Sequence, residues 1–216
     1  MPEGLVETAA QVEPPEERRF YGVAVAQVID NVDLMQQARV QVRLPWLSFT
    51  PWARVAVPMA GNDRGTYFIP MIGDEVLVAF NQGDVRDAYV VGSLWNAQDQ
   101  PPAVSPTDPQ NKRLIRTPLG HELEFDDQEE SITVTSITGH KIKMTSEKIE
   151  IQTAEGTASV ILDTEGNVSI KASEKISLEA QTLNLKGDNV TIEGNQIVKV
   201  RGGRLCDVQA NVVKIN

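Results

Sequence analysis

A repeat of paired aliphatic residues in the second half of the chain constrains the fold more than any other feature. Each pair holds two apolar residues separated by one residue, and from Val160 onward successive pairs start seven or eight residues apart. The separating residue is polar or charged in every pair except one, where it is Ile161. Alternation with period two predicts short strands with one apolar and one polar face. The pairs are Ile132/Val134, Ile142/Met144, Ile149/Ile151, Val160/Leu162, Val168/Ile170, Ile176/Leu178, Leu183/Leu185, Val190/Ile192, Val198/Val200, Cys206/Val208 and Val213/Ile215.

A chain with this repeat needs partners for its apolar row. Turn-forming residues such as Gly194-Asn195 and Gly202-Gly203 separate the strands. Burial of two side chains per strand contributes about 3 to 5 kcal/mol, whereas backbone ordering costs about 1 to 2 kcal/mol per residue, so one ribbon cannot fold alone. The pattern favours three identical chains wound into a prism, with the pairs from Ile132/Val134 to Cys206/Val208 as the trimer core. A monomeric solenoid and an ordinary β-sandwich are the alternatives, and the step of seven or eight residues fits solenoid repeats poorly.

The predicted shaft is long and has no interior space. Eleven layers at a strand spacing of about 4.8 Å give a length of about 50 Å. Because the cross-section is filled by short aliphatic side chains, a small-molecule pocket inside it is not expected. Cys206 occupies an inward position, which predicts three reduced thiols packed near the trimer axis.

The first half of the chain follows a different pattern. Residues 20–96 hold five short alternating segments separated by Gly, Asp, Asn or Pro, which predicts a small closed barrel. Residues 97–118 contain five prolines and are expected to form a semi-rigid linker before the shaft at residues 119–216. Residues 1–19 are expected to form a flexible acidic tail. The predicted class is therefore all-β, a barrel followed by a trimeric prism.

Charge and cysteine content exclude several classes of function. The 20 Lys and Arg residues are outnumbered by 30 Asp and Glu residues, and a net charge of -10 disfavours electrostatic binding to nucleic acid or anionic lipid. A single cysteine forms no intrachain disulfide and no cysteine-based zinc cluster. The chain has no secretory signal and no apolar run of about 20 residues, so synthesis in the cytoplasm is expected.

Candidate catalytic and metal-binding residues have simpler structural interpretations. The acidic cluster Asp126, Asp127, Glu129 and Glu130 could supply the carboxylate pair of a cell-wall hydrolase, but a solvated turn is the preferred interpretation. His121 and His140, far apart in sequence and without a cysteine, are assigned structural roles. Neither a phosphate-binding loop nor a dinucleotide motif occurs. No enzyme activity, metal or cofactor is predicted.

Binding of single-stranded nucleic acid is the other alternative that the barrel raises. Such barrels use aromatic side chains in a basic groove. The arginines of the barrel could equally pair with Asp63, Asp74 or Asp84, so binding of single-stranded nucleic acid is not the preferred interpretation. The aromatic candidates are Trp46, Trp52, Tyr67, Phe68 and Trp95, and the basic ones are Arg39, Arg43, Arg54 and Arg64.

Five motifs in order carry a resemblance to a known family. They are Gly22-Val23 with Ala26 and Val28, ARVQVRLPW at 38–46, PWARVAVPMAG at 51–61, GTYFIPMIGDEVLVAFNQGD at 65–84 and VVGSLWN at 90–96. TPLGHELEFDD at 117–127 and TGHKIKM at 138–144 continue it. The chain resembles the baseplate assembly protein V and VgrG family, the central spikes of contractile phage tails and related injection systems.

The resemblance implies a fold, a role and partners. It implies an oligonucleotide/oligosaccharide-binding (OB) barrel followed by a triple-stranded β-helix, in a homotrimeric spike that punctures a target envelope mechanically. The short segment before the barrel is similar to the short phage-type spikes, so the baseplate hub is expected to be a separate protein. Some short spikes bind iron at the tip through a His-x-His motif, but no histidine occurs after His140, so no metal is expected there. The end of the shaft, at Val213, Ile215 and Asn216, is predicted to carry a tip protein of the PAAR type. The assembled protein would reside in the baseplate of a virion or injection particle.

Overall fold

The computed structural model describes residues 19–103 and 105–214 in two compact units that divide between Ile137 and Thr138. The acidic tail up to residue 18 and two predicted tip residues, Ile215 and Asn216, lie outside the described residues. The first seven strands are β1 (Val23–Asp30), β2 (Arg39–Arg43), β3 (Trp52–Val55), β4 (Ala60–Gly61), β5 (Arg64–Gly65), β6 (Glu75–Asn81) and β7 (Asp84–Leu94).

Five of these strands close into a barrel in the order β1-β2-β3-β7-β6. All neighbouring pairs are antiparallel except β3 and β7, which run parallel, with Ala53 opposite Ala88. The small closed barrel that the sequence predicts in the first half of the chain is therefore confirmed. Strands β4 and β5 form a separate two-stranded hairpin that the alternation pattern does not predict, because each strand is two residues long.

Period-two alternation builds the barrel core. In β1, Ala24, Ala26 and Val28 are buried while the intervening Val23 and Val25 are exposed. Four of the twelve buried apolar residues are alanines, and small side chains at these positions let the strands close around a narrow interior. The buried residues are Ala24, Ala26, Val28, Val40, Val42, Leu44, Ala53, Val76, Val78, Phe80, Ala88 and Val90.

Regular structure resumes before the point where the shaft was expected to start. One helical turn, α1 (Asp108–Asn111), precedes strand β8 (Lys112–Arg116), and both lie inside the segment expected to be a linker. The prolines at positions 101, 102, 106 and 109 precede β8, and the strand itself contains none, so its backbone donors remain available for pairing. β8 continues into an antiparallel meander with β9 (Glu122–Asp126) and β10 (Ser131–Thr135).

The second unit begins with a further antiparallel meander. Its strands are β11 (Lys141–Met144), β12 (Lys148–Gln152), β13 (Ala158–Asp163) and β14 (Val168–Ala172). Among the described residues the only α-helix is the four-residue α1, so the all-β class is confirmed. From residue 173 to residue 214 the structure contains bends but no strand, so the strands that the repeat predicts in this segment do not form within one chain.

The predicted core residues of this last segment are not buried in the single chain. In the five pairs from Ile176/Leu178 to Cys206/Val208 the second residue is 66% to 71% exposed, which differs from the inward position that the repeat assigns to it. The physical reason is that the segment has no neighbouring strand of its own chain to cover its apolar side, so burial of these side chains depends on other copies and stays a prediction. The residues concerned are Leu178, Leu185, Ile192, Val200 and Val208.

Candidate functional site

The aliphatic pairs of the repeat lie opposite one another across the strands of the second unit. Ile142 faces Ile151 and Met144 faces Ile149 between β11 and β12. The same alignment continues through β13 and β14, where Leu162 faces both Ile149 and Val168. Because cross-strand neighbours share one side of a sheet, the pairs form one apolar face, here called the paired face.

The paired face is open to solvent in the single chain. Ile149 is 42%, Ile151 46% and Val168 64% exposed, although they are the apolar residues of their strands. The residues between pair members, such as Lys143 and Glu150, are half-buried. An uncovered, contiguous apolar surface of this kind marks an interface with another protein.

Residues 174–214, here called the bent segment, continue the repeat without a strand partner inside the chain. Bends occur at 173–174, 181, 188–189, 195–196, 203–204 and 211, which reproduces the step of seven or eight residues. Every described residue from 170 to 214 is exposed, and no backbone-to-backbone hydrogen bond is found for the described residues 174–214. Buried backbone donors and acceptors need partners, so strands supplied by other chains have to pair with this segment if apolar residues such as Leu178 and Val200 are to be buried.

Glycines make the bends between these repeats tight. At Gly202 an added Cβ would overlap the carbonyl oxygen of Leu205, so no side chain fits there. At Gly194 the added Cβ would lie 2.9 Å from both the carbonyl oxygen of Ile197 and a methyl group of Val198. The bends that follow Gly194 and Gly202 therefore require glycine for close backbone approach.

The predicted acidic cluster forms a hairpin turn between β9 and β10. Asp126 is buried, and its Oδ1 accepts hydrogen bonds of 3.0 Å from the backbone N–H groups of Gln128 and Glu129. These backbone bonds, together with the ammonium of Lys112 at 3.5 Å, lower the pKa of Asp126. The Glu124 carboxylate, which accepts a bond from Lys112 Nζ at 3.3 Å, raises the pKa of that lysine. Within the cluster, Asp126 therefore holds the turn together.

The two histidines also make backbone contacts. His121 Nδ1 accepts the N–H of Ile137 at 3.4 Å, and His140 Nδ1 accepts the N–H of Ala154 at 3.2 Å. Within residues 19–103 and 105–214 no group of three or more metal-binding side chains is present. In the described part of the chain no helix is long and apolar enough to span a membrane.

Candidate arginines of the barrel such as Arg39 and Arg54 are engaged in local contacts. Arg39 forms an ion pair with Asp33, at 2.8 Å from Nη2 to Oδ1, and not with the three aspartates considered from the sequence. Arg39 also lies over the ring of Trp52, and Arg54 over the ring of Tyr89. Arg39 and Arg54 are therefore stacked on aromatic rings, whereas the aromatic candidates Tyr67, Phe68 and Trp95 are exposed and stay open as contact residues.

Two regions of the chain match described protein families. Residues 24–95 match the type VI secretion system/phage-baseplate injector OB domain, and residues 112–205 match the phage baseplate V C-terminal trimerisation domain. The chain belongs to the baseplate V and VgrG spike family. The first match coincides with the closed barrel, and the second spans β8 to β14 and most of the bent segment, so the OB assignment and the family resemblance are confirmed.

Three named proteins are similar in sequence to this spike-family chain. The type VI secretion system spike protein VgrG3 of Vibrio cholerae is 33% identical over 102 residues, which cover 42% of this chain and 10% of the relative. The type VI secretion system spike protein VgrG2a of Pseudomonas aeruginosa is 28% identical over 141 residues, covering 56% of this chain and 16% of the relative. The spike protein of Escherichia phage P2 is 25% identical over 130 residues, covering 60% of this chain and 53% of the relative. The matched stretches thus span about half of the phage protein and a small part of the two VgrG proteins.

The trimerisation region contains further apolar residues that are not among the predicted pairs. Leu123 and Phe125 flank Glu124 in β9 and face Val134 and Ile132 of β10, and Ile115 of β8 faces Leu123. Leu123 and Phe125 have the same two-residue spacing as the later pairs, so the pattern itself could have identified them. The predicted tip residue Val213 is 51% exposed, and Cys206 is a free, exposed thiol in the single chain.

Proposed function

We propose that this protein is the central spike of a contractile phage tail or of a related injection particle. The paired face, uncovered in the single chain and continued by a bent segment without backbone partners, carries the proposal. Membership in the spike family and the names of its relatives agree with this role. The protein acts mechanically and has no catalytic turnover.

Three copies of the chain form the proposed shaft as an intertwined triple-stranded β-helix. The pair residues from Ile132 to Val208 point to the common axis, and the polar residues between them face solvent. The match to a trimerisation domain over residues 112–205 supports a homotrimer. Each backbone in the bent segment then pairs with strands of the other two chains, which satisfies donors and acceptors that have no partner within one chain.

The mass of the purified protein tests the shaft directly. Light scattering should give three times the 23.7 kDa of the single chain, and the trimer should persist in SDS until the sample is heated, since its strands are interwound. A folded monomer in solution would contradict the proposal. A trimer that SDS dissociates without heating would lack the kinetic stability that interwound strands are expected to give.

The free end of the shaft is proposed to carry a separate tip protein of the PAAR type. Uncovered strand ends and apolar side chains at one end of such a prism are an association hazard unless another protein covers them. Val213, with Ile215 and Asn216 beyond the described residues, would form the seat. The exposed side chain of Val213 is consistent with a contact at this position.

Deletion of residues 211–216 separates tip binding from trimer formation. The shortened chain should remain trimeric, because the ten preceding pairs are intact, and it should lose binding to a purified PAAR-type protein in a pull-down. The matched control is deletion of the acidic tail before the barrel, residues 1–18, which should leave binding unchanged. Binding of the tip protein to the chain that lacks residues 211–216 would refute the assignment.

Assembly and action follow from the same proposal. The barrel seats the trimer on a baseplate hub, the finished spike resides in the virion or injection particle after synthesis in the cytoplasm, and sheath contraction drives it against the target envelope. The trimer carries a formal charge of about -30, so attraction to anionic lipid does not assist entry. No nucleic acid, cofactor or metal has a role in this function.

A further inference from the structure

Exposed apolar side chains gather at one end of the barrel, here called the loop end. Strands β1, β3 and β7 finish there, and β2 and β6 begin there, as the parallel pairing of β3 with β7 and the pairing of Leu94 with Glu75 require. The loop after β1, residues 31–38, and the β4–β5 hairpin both project from this end. The exposed apolar residues are Val32, Leu34, Met35, Met59, Tyr67, Phe68, Met71 and Ile72.

The loop of residues 31–38, here called the finger, presents two of these side chains on a rigid frame. Leu34 is 90% and Met35 69% exposed. Asp33 accepts the backbone N–H groups of Met35, Gln37 and Arg39 and two bonds from the Arg39 guanidinium, between 2.8 and 3.3 Å. The only charged side chain of the finger is thereby neutralised inside the loop, and its tip is apolar.

A groove lies beside the finger on the same barrel. It has a volume of about 540 Å³ and is lined by the base of the finger at Gln36–Ala38 and by apolar side chains that include Val57, Met59, Tyr67 and Ile69. A cleft of this volume accommodates two aliphatic side chains. Asp63 and Arg64, of opposite charge, lie on its lining, so the groove has no net charge to repel a neutral tip.

We propose that the loop end is a second contact between copies of this chain, in which the finger of one barrel inserts Leu34 and Met35 into the groove of the next. Finger and groove are different surfaces of one barrel, so the contact runs head to tail, and a threefold axis closes it into a ring. The contact rests on the proposed trimer and extends it from the shaft to the barrels.

The course of the chain argues that a second copy fills the groove. β7 ends at Leu94 on the loop end, and the trimerisation match begins at residue 112. The connecting residues 95–111 reach about 60 Å at full extension. Three barrels tethered to one shaft at this distance have effective concentrations in the millimolar range, at which two apolar surfaces of matching size associate without a large affinity of their own.

Site-specific disulfide formation between two single-cysteine chains tests the contact. In a Cys206→Ser background, a tagged Leu34→Cys chain is co-expressed with an untagged Met59→Cys chain, so a mixed disulfide has to join two copies. The control replaces Met59→Cys with Phe49→Cys, because Phe49 is exposed but lies in the loop between β2 and β3 at the opposite end of the barrel. After mild oxidation and boiling in SDS, the Leu34/Met59 mixture should yield more tagged–untagged dimer than the control by on the order of tenfold.

The oligomeric mass of the same samples separates this proposal from the one on which it rests. A trimer with no more mixed disulfide than the control overturns the barrel contact and leaves the groove to a different partner. A monomer overturns the shaft trimer and the barrel contact together. Since Leu34 and Met59 are exposed in the single chain, cysteine at either position leaves the barrel core intact.

Discussion

Asp33 is the residue on which the shape of the finger depends. Its carboxylate holds the finger by accepting three backbone and two guanidinium hydrogen bonds. The loop contains two non-glycine residues with left-handed backbone, Gln36 at φ 55° and Ala38 at φ 54°. Residues in that region carry a conformational cost, so the finger needs the bonds of Asp33 to keep this shape.

The stability supplied by Asp33 is expected to depend on pH. The guanidinium of Arg39, followed by the backbone N–H groups, lowers the pKa of Asp33 well below its ordinary 3.8. An unfolded chain therefore binds the proton more readily, so stability rises with pH, is fully present above about 4 and is lost as pH falls through the lowered value. Asp33→Asn should unfold at lower urea concentration than the unmodified protein at pH 7, and the difference should shrink at pH 3.

Asp63→Asn is the matched control for this measurement. Asp63 is exposed and has φ 53°, a backbone conformation that asparagine tolerates well, so its replacement should leave the urea midpoint unchanged at both pH values. A difference between Asp33→Asn and the unmodified protein that stays constant from pH 7 to pH 3 would show that the carboxylate charge does not stabilise the finger.

At the scale of the element, each repeat is one strand with two apolar residues and one bend. Alternation predicted the five barrel strands and the strand position of every pair from Ile132 to Ile170, because burial of one face has a two-residue period in any sheet. The β4–β5 hairpin and the finger were not predictable, since their geometry depends on hydrogen bonds such as Thr66 N–H to Met59 O rather than on periodicity. Strand β8 was not predicted, because the prolines on either side of it indicated a linker.

Beyond Ile170 the repeat and the single chain differ, and the difference has one cause. Pairs such as Leu183/Leu185 and Val190/Ile192 keep the sequence spacing. Their side chains are nevertheless exposed, and their segment contains no strand. A strand forms only where a neighbouring strand donates and accepts its backbone hydrogen bonds. The periodicity of a sequence shows which face of the strand is apolar, but it does not show which chain covers that face.

Cys206 provides a test of the register of the repeat. The proposed shaft points all three copies of Cys206 to the axis, so Cys206→Asp would bury three carboxylates without partners, at a cost of about 3 to 5 kcal/mol for each uncompensated charge. The melting temperature of the trimer should fall sharply, or the trimer should fail to form. Cys206→Val, which keeps an apolar side chain of similar size, should cost less than about 1.5 kcal/mol. An unchanged melting temperature for Cys206→Asp would mean that Cys206 does not point to the axis and that the assigned register is wrong.

At the scale of the whole molecule, the proposed trimer combines an apolar axis with an acidic exterior. A net charge of -10 per chain is concentrated on the surface, because the barrel core and the paired face are apolar. Trimerisation through the paired face would remove most of the surface that could insert into lipid. The assembled spike would then have neither electrostatic nor hydrophobic affinity for a membrane, and penetration would require an external force.

Vesicle flotation tests whether the assembled spike has any affinity of its own for a membrane. The purified trimer should stay in the dense fraction with vesicles of phosphatidylcholine alone and with vesicles that contain phosphatidylglycerol, because like charge repels it from the second and no apolar face is left for either. A basic amphipathic peptide that floats with the phosphatidylglycerol vesicles controls for the sensitivity of the assay. Flotation of the trimer with anionic vesicles that disappears as salt rises would reveal a cationic patch acting against the net charge. Flotation with both kinds of vesicle, independent of salt, would instead mean that an apolar surface stays open in the trimer, and the loop end of the barrel would be the first surface to examine.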